Sequence, residues 1–247
     1  RLKEVTIEGR QPVLEALKSG RKIKSIFIAE GSSGEILGDI KQRAGQRKIP
    51  IRYVSRAELE TIAVTGSEQG VVAVGEPKGY VGVDDILEAA VSKGEDPFIL
   101  ALDQIQDPQN LGSIIRTAEA VGIHGIIIPK NRTATVTPTV EKVSAGAVEY
   151  IAVAQSNIAS ALDILKDKGC WVVGTDADAE VECFDANLTG PIVLVIGSEG
   201  QGMRRLVKEK CDLMVKLPML GHVNSLNAAN AASVLMYEVL RQRRQKV

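Results

Sequence analysis

The sequence predicts an α/β protein with a small N-terminal α/β domain and a larger C-terminal domain built on a mainly parallel sheet. Three observations support this fold class. From residue 97 onward the strand candidates are short, continuous apolar runs, as strands covered on both faces require. Helical patterns separate most of these runs, which favours parallel crossover connections. Residues 76–97 are punctuated by glycine and proline, which is typical of a connector between domains.

The N-terminal elements follow in order. Pro12 suits the first turn of a helix that continues to Leu17. A strand is predicted at 23–29, a helix at about 35–43 and a strand at 51–54. The pattern Ser55-Arg56-Ala57-Glu58 is that of a capping box and begins another helix, and a strand at 70–74 closes the unit. We therefore predict a first domain at 1–75 and a linker at 76–96 that carries a short helix at 84–91.

The C-terminal domain, at 97–247, is predicted from apolar runs and the helices between them. Strands are predicted at 98–102, 125–128, 150–154, 171–174, 192–196 and 213–217. Helices are predicted at 111–120, 158–166, 203–210 and 226–244, and Gly122 and Gly169 stop the first two.

Composition excludes several classes of protein. Aromatic residues make up 3% of the chain, so platforms of stacked aromatic side chains are not expected. No apolar run approaches the roughly 20 residues of a membrane span. Cys170, Cys183, Cys211 and the two histidines lack the spacing of a zinc site, and no serine or cysteine triad is evident. We expect a cytoplasmic protein with reduced thiols, no metal and no membrane partner.

Charge is unevenly distributed, although the net charge is −1. Residues 1–56 hold 13 Lys and Arg against 6 Asp and Glu, whereas the remainder holds 17 against 25. The basic N-terminal part is either ordinary solvated helix surface or a module that faces a polyanion.

Three polar loops follow apolar strands, at the sheet edge where open α/β sheets bind ligands. The first, residues 103–116 (DQIQDPQNLGSIIR), contains Asn110, which would suit a helix N-cap, and Arg116, which would suit a helix surface. The second, residues 196–202 (IGSEGQG), lets the backbone approach a ligand and carries Glu199, or is a plain strand-to-helix turn. The third, residues 217–230 (LPMLGHVNSLNAAN), contains Ser225 and Asn227, which would also suit helix caps.

Taken together and in this order, the three segments resemble the signature motifs of the SpoU/TrmH family of RNA ribose methyltransferases. The resemblance covers 97–247, and residues 5–75 resemble the substrate-binding domain, similar to ribosomal protein L30e, that precedes the catalytic domain in many members. Glu8-Gly9-Arg10 and the segment 142–149 (KVSAGAVE) look closest to enzymes that modify a guanosine of large-subunit ribosomal RNA.

The resemblance implies a SPOUT-type sheet with a deep trefoil knot, S-adenosylmethionine as cofactor, and a homodimer. It implies methylation of a ribose 2'-hydroxyl in large-subunit ribosomal RNA. The alternatives are a transfer-RNA enzyme, a ribosomal-RNA enzyme that confers antibiotic resistance, and an RNA-binding scaffold without turnover. Residues implied at the cofactor are Gly174, Thr175, Gly197, Gly200, Leu217, Met219 and Leu226.

The same resemblance implies a catalytic group and a set of RNA contacts. Arg116 would orient the hydroxyl, because a guanidinium with a pKa above about 12 is a poor base. Asn110 and Glu199 would hold the loop and the arginine, and the general base is left open. The residues implied in catalysis are Asn110, Arg116, Glu199, Ser225 and Asn227, and those implied in RNA binding are Arg10, Arg21, Lys22 and Arg116.

Overall fold

The computed structural model describes residues 4–245. The elements along these residues are β1 (Val5–Glu8), α1 (Arg10–Lys18), β2 (Ile23–Ala29), α2 (Glu35–Gln46), β3 (Ile51–Val54), α3 (Arg56–Ile62), β4 (Val71–Gly75), α4 (Val83–Lys93), β5 (Phe98–Leu102), α5 (Pro108–Ala120), β6 (Gly125–Ile128), α6 (Pro138–Val143), a 3-10 turn (Ala147–Glu149), β7 (Ala152–Gln155), α7 (Ile158–Asp167), β8 (Trp171–Thr175), β9 (Val181–Glu182), β10 (Ile192–Ile196), α8 (Arg205–Glu209), β11 (Leu213–Lys216) and α9 (Ala228–Gln245).

The chain forms two compact units whose bounds differ from the predicted domains. The first unit combines the residues up to Gly79 with Val136–Tyr150, and the second combines Tyr80–Thr135 with Ile151 onward. Helix α4 was predicted within a linker, but its Ile86 and Ala90 are fully buried, and Ile86 belongs to the core of the second unit. Segment 136–150 was predicted within the catalytic domain, but it packs on the first unit, where α6 contacts β1.

The first unit is a four-stranded sheet in the order β1-β4-β2-β3. β2 and β3 are parallel, whereas β4 runs antiparallel to both of its neighbours. One core cluster joins the sheet to α1 and α2 through apolar residues such as Leu14, Ile26 and Ile40. A smaller cluster around Leu59 of α3 forms separately from it. The predicted cap of α3 is present, since the Ser55 side chain accepts a hydrogen bond from the backbone N–H of Glu58.

Arg21 takes a different role from the one predicted. Its guanidinium, only 6% exposed, pairs with Glu141 at 2.9 Å and with Glu149 at 2.7 Å, and it also donates to the carbonyl of Glu76. These contacts hold the α6 segment within the first unit. The structure thus gives Arg21 a structural role, with two carboxylates bound to its guanidinium, and its contact with RNA stays a prediction.

The second unit is a seven-stranded sheet in the order β7-β6-β5-β10-β8-β11-β9, with every pair parallel. This confirms the predicted parallel sheet. Strands β5, β6 and β10 are buried along their whole length and have the predicted bounds. Because the strands are parallel, the loops that leave their carboxyl ends lie at one edge of the sheet, where the site described below is found.

The structure also bears on membrane spans and on reactive cysteines. No helix within residues 4–245 is long and apolar enough to cross a membrane. The three cysteines are free, and burial, the main cause, raises the pKa of Cys183 to about 11 and that of Cys211 to about 12. Both thiols are therefore protonated near neutral pH, and a thiolate nucleophile is not available at either position.

Candidate active site

The glycine-rich loop after β10 is a tight turn that only glycine permits at its first position. Ser198 and Gly202 exchange two backbone hydrogen bonds, of 3.1 and 3.0 Å. A Cβ on Gly197 would lie 2.4 Å from the carbonyl carbon of Gly202 and 2.6 Å from the nitrogen of Met203. Since both neighbours are backbone atoms, they cannot rotate away, and residue 197 has to be glycine for this loop to close.

A cavity of about 410 Å³ lies beside this loop, at the carboxyl edge of the sheet. The loops that follow β8, β10 and β11 form it, together with the first turns of α9. Its volume lies within the roughly 300–1,000 Å³ of small-molecule sites. Of the residues implied at the cofactor, those that line it are Thr175, Gly197, Gly200, Leu217, Met219 and Leu226.

Gly174 is the one residue of the implied cofactor set that does not line this cavity, and its contact with the cofactor stays a prediction. It lies within β8, where an added Cβ would meet Cys211 Sγ at 2.6 Å and Met214 Sδ at 2.7 Å. The glycine therefore serves packing beneath the site. Sequence reasoning missed four charged lining residues, Asp176, Asp178, Lys208 and Lys216. Three of them could have been found from their place at the carboxyl ends of strands, since Asp176 and Asp178 follow β8 and Lys216 ends β11.

The cavity suits a ligand with both an apolar and a polar part. Apolar walls come from side chains such as Leu217 and Leu226, and the turn at Gly197 exposes backbone groups to the cavity. Asp176 forms a short ion pair with Lys208, and this hydrogen bond lowers the pKa of Asp176. An adenosine bearing a charged amino-acid tail has this combination of surfaces, so the residues fit S-adenosylmethionine.

Three of the implied catalytic residues form one hydrogen-bonded network. Glu199 Oε1 accepts from Asn227 Nδ2 at 2.6 Å, from the backbone N–H of Ala228 at 2.9 Å and from Asn110 Nδ2 at 3.4 Å. Asn227 Nδ2 also donates to Asn110 Oδ1 at 2.9 Å. Asn227 is also a helix cap, as its position suggested, because its Oδ1 accepts from the backbone N–H groups of Ala229 and Asn230 in α9. The carboxylate lies at the positive end of α9, which stabilises its charge.

The remaining implied residues are placed differently. Asn110 is the third residue of α5 and not its cap, since Asp107 accepts the capping bond from Gln109. Ser225 lines the cofactor cavity. Arg116 is an exposed residue of α5 and lines neither this cavity nor the smaller one described below. The structure therefore gathers Asn110, Glu199 and Asn227 in one network, and Arg116 takes no part in the hydrogen bonds of that network.

A buried carboxylate that the sequence did not single out connects the first two loops. Asp103, which directly follows β5 and is fully buried, accepts from the backbone N–H of Arg204 at 2.7 Å and from its Nε at 2.8 Å. Arg204 Nη2 lies 2.6 Å from the same carboxylate. This ion pair holds the end of the glycine loop against the start of the first loop.

The geometry above agrees with the comparisons with known proteins. Residues 97–237 match the SpoU rRNA Methylase family, which is more than half of the chain. The chain belongs to this family. Residues 6–81 match a second family, described as RNA 2'-O ribose methyltransferase substrate binding.

Individual SpoU relatives extend over nearly the whole chain. YacO of Bacillus subtilis (strain 168), assigned by its name to the TrmH family of tRNA/rRNA methyltransferases, is 50% identical over 236 residues, 95% of this chain and 94% of its own. The SpoU methyltransferase AviRb of Streptomyces viridochromogenes, solved with AdoMet, has a TM-score of 0.82 at 28% identity, over 98% and 91% of the two chains. An AdoMet-bound rRNA methyltransferase of Sinorhizobium meliloti has a TM-score of 0.77 at 26% identity, over 96% and 87%.

These findings confirm the predicted family, fold class and cofactor. The protein is an RNA methyltransferase of the SpoU/TrmH family, and it uses S-adenosylmethionine. The choice between ribosomal and transfer RNA and the atom that is methylated stay predictions.

Proposed function

We propose that this SpoU family protein methylates the ribose 2'-hydroxyl of a guanosine in large-subunit ribosomal RNA. One observation carries the choice of ribose: the methyltransferase region follows a region that matches a substrate-binding family of RNA 2'-O ribose methyltransferases. The resemblance of Glu8-Gly9-Arg10 and of segment 142–149 to rRNA guanosine enzymes supports the choice of RNA and base.

The reacting centre is proposed at the Glu199 network, where the wall of the cofactor cavity meets α5 and α9. When bound, S-adenosylmethionine supplies an activated methyl group, so the protein needs no covalent intermediate of its own. Glu199 fixes Asn110 and Asn227 through charge-assisted hydrogen bonds, which are stronger than neutral ones. Ser225 lies in the wall of the same cavity, and we propose that it contacts the acceptor ribose. This arrangement preorganises the site before the RNA arrives.

Arg116 is proposed to orient the acceptor hydroxyl and a neighbouring phosphate, as a bidentate donor. Its exposure and its absence from the lining of both cavities agree with a role in a site completed by a second copy of the chain. The homodimer is proposed on the resemblance and on exposed apolar residues of α9, Val234 and Tyr237, which are 40% and 53% exposed. Sedimentation at micromolar concentration should show a dimer, and a monomer would contradict the proposal.

The basic first unit is proposed to bind RNA through phosphate contacts. Lys22 is 79% exposed at its side chain and pairs loosely with Glu76, at 3.6 Å. Arg10 is held near the loop of Gln69, to whose carbonyl its Nε donates. Lys22→Glu and Arg10→Glu should each weaken RNA binding and lower the slope of log K against log salt by about one. Unchanged slopes would make these residues ordinary solvated surface.

The deep trefoil knot and the cytoplasmic location are proposed on the resemblance alone.

A transfer-RNA enzyme is the second candidate, because the name of YacO gives both RNA classes. The test is to map ribose methylation in the rRNA and tRNA of a strain that lacks this protein. We expect one unmethylated guanosine in large-subunit rRNA that the purified protein restores. Loss of a tRNA methylation instead would replace the rRNA proposal with the alternative.

A further inference from the structure

A second cavity of about 320 Å³ adjoins the cofactor cavity within the second unit. The two cavities share a wall, which consists of residues 198–201 and Ala228. On its far side the second cavity is closed by the loop after β5 and the start of α5. The wall contains Glu199, so a molecule in the second cavity lies beside the proposed reacting centre and opposite the cofactor.

The lining of this cavity is polar but almost uncharged. Three glutamine side chains contribute to it, from Gln104, Gln106 and Gln201. Glu199 is the one ionisable group among its described lining residues, and the carboxylate already accepts bonds from Asn227 and Ala228. A phosphate is bound by cations or helix N-termini, and this lining offers no cation. The two helix ends at the cavity already have carboxylate partners, since Glu199 accepts from the N–H of Ala228 in α9 and Asp107 caps α5. Neutral amides beside an apolar residue, Ile105, suit a nucleobase, which has hydrogen-bonding edges and apolar faces.

The loop that carries two of these glutamines is held in an uncommon conformation. Gln104 has a φ of 65°, in the left-handed region that favours glycine, and its Nε2 donates to the carbonyl of Gly202 at 3.3 Å. The next carbonyl, that of Ile105, accepts from Thr133 Oγ1 and from the N–H of Ala134, both at 2.9 Å. Residues with an unfavourable backbone conformation that several neighbouring contacts hold in place are common at ligand sites. The loop is therefore rigid where it borders the cavity.

Gln106 is presented differently, since its side chain forms no hydrogen bond with the other described residues and is exposed at the cavity. A glutamine amide carries a donor and an acceptor side by side. That pair complements the O6 acceptor and the N1–H donor of guanine.

We propose that the second cavity holds the base of the acceptor nucleotide, turned out of its helix, and that Gln106 and Gln201 read the edge of this base. Gln104 is a positioning residue that fixes the loop. This inference rests on the proposed function, because it requires a nucleotide whose ribose lies at the Glu199 wall. Enzymes that act on a nucleotide within folded RNA commonly extrude it and recognise its edge by hydrogen bonds. Gln106 and Gln201 would then determine which nucleotide is methylated on its ribose.

The test uses the full-length protein and large-subunit rRNA transcripts that carry each of the four bases at the mapped position. Initial rates of tritiated methyl transfer give kcat/KM for every base, with wild type, Gln106→Ala and Gln106→Glu. On the preferred base, Gln106→Ala should lower kcat/KM by about tenfold to a hundredfold, the usual worth of a bidentate base contact. On the other bases the loss should be smaller, so that the ratio between bases falls. Gln106→Glu keeps the shape but removes the donor, and should also change this ratio.

Two controls separate this inference from the proposed function. Gln109→Ala changes an exposed glutamine of α5 that lines neither cavity, and should leave both the rate and the ratio as in wild type. The dissociation constant of S-adenosylmethionine, measured by calorimetry, should stay within about threefold for every variant. Failure of wild type to methylate any RNA would overturn the proposed function and this inference with it. Active wild type together with unchanged base ratios in both Gln106 variants would overturn the inference alone.

Discussion

Substitution of Gly197 by alanine tests how the glycine loop builds the cofactor cavity. The new Cβ would lie 2.4 Å from Gly202 C, 2.6 Å from Met203 N and 2.7 Å from Gly202 O. Ordinary van der Waals contact begins near 3.4 Å, so three backbone atoms have to move by several tenths of an ångström or more. Overpacking of this kind costs about 1–3 kcal/mol.

The strain of Gly197→Ala has to show either in stability or in cofactor affinity. If the loop keeps its shape, the full strain lowers the free energy of unfolding, and Tm falls by about 2–4 °C for each kcal/mol in a protein of this size. If the loop relaxes, it relieves the strain but distorts the cavity wall. Binding then has to restore the strained shape, and Kd for S-adenosylmethionine rises by about fivefold to a hundredfold. We expect mainly the second result, because Gly197 lines the cavity.

The assays are isothermal titration calorimetry with S-adenosylmethionine and thermal unfolding without ligand. Gly221→Ala is the matched control, since it lies in the third loop, has open space around its Cβ position and does not line the cavity. It should leave Kd and Tm close to wild type. Wild-type values of both quantities in Gly197→Ala would refute the account of the loop.

Three further predictions follow from named contacts. Arg116→Ala should reduce methyl transfer to background while Kd for S-adenosylmethionine stays within a few-fold, because Arg116 lies outside the cofactor cavity. The control is Arg205→Ala, at an exposed arginine, which should keep the wild-type rate. A rate near wild type in Arg116→Ala would remove Arg116 from the site. Asp103→Asn should lower the free energy of unfolding by about 1–3 kcal/mol, measured in urea, since it weakens the ion pair with half-exposed Arg204; an unchanged midpoint would show that the pair contributes nothing. Burial raises the pKa of Glu8, but hydrogen bonds from Thr65 and Val64 outweigh this effect and hold the pKa below its usual value. The stability that Glu8 contributes is therefore present above about pH 4.5 and is lost as the pH falls further. In Glu8→Gln, the free energy of unfolding should fall less steeply with acid than in wild type, and an equal acid dependence would contradict this.

Five strands, β2, β3, β5, β6 and β10, have the predicted bounds. For β5, β6 and β10 the reason is complete burial, because an uninterrupted apolar run between polar turns allows few other placements. β2 and β3 are only partly buried and were predicted from their β-branched and aromatic residues between turn signals. β1 and β9 were missed. Each is only a few residues long, and each depends on pairing with a distant strand, β4 for β1 and β11 for β9.

The sequence predicts which loops form the candidate site, but not the long-range contacts and cavities that they form in the folded protein. The order of the three motifs indicates that Asn110, Glu199 and Asn227 act together, and the structure brings them within one hydrogen-bonded network. Their roles in catalysis stay predictions. Ion pairs between residues far apart in sequence leave no pattern in the neighbouring residues. Arg21 was therefore predicted to contact RNA, although in the structure its guanidinium pairs with Glu141, 120 residues away. The second cavity depends on two loops that meet only in the folded sheet.

The most direct measurement of the central claim is the atom that receives the methyl group. The purified protein, S-adenosylmethionine carrying a tritiated methyl group, and total RNA from a strain that lacks the protein are incubated, and the labelled RNA is digested to nucleosides. We predict that the label appears as one ribose-methylated guanosine, and that this guanosine maps to large-subunit rRNA. Label on a base, label confined to transfer RNA, or no label in any RNA would contradict the account.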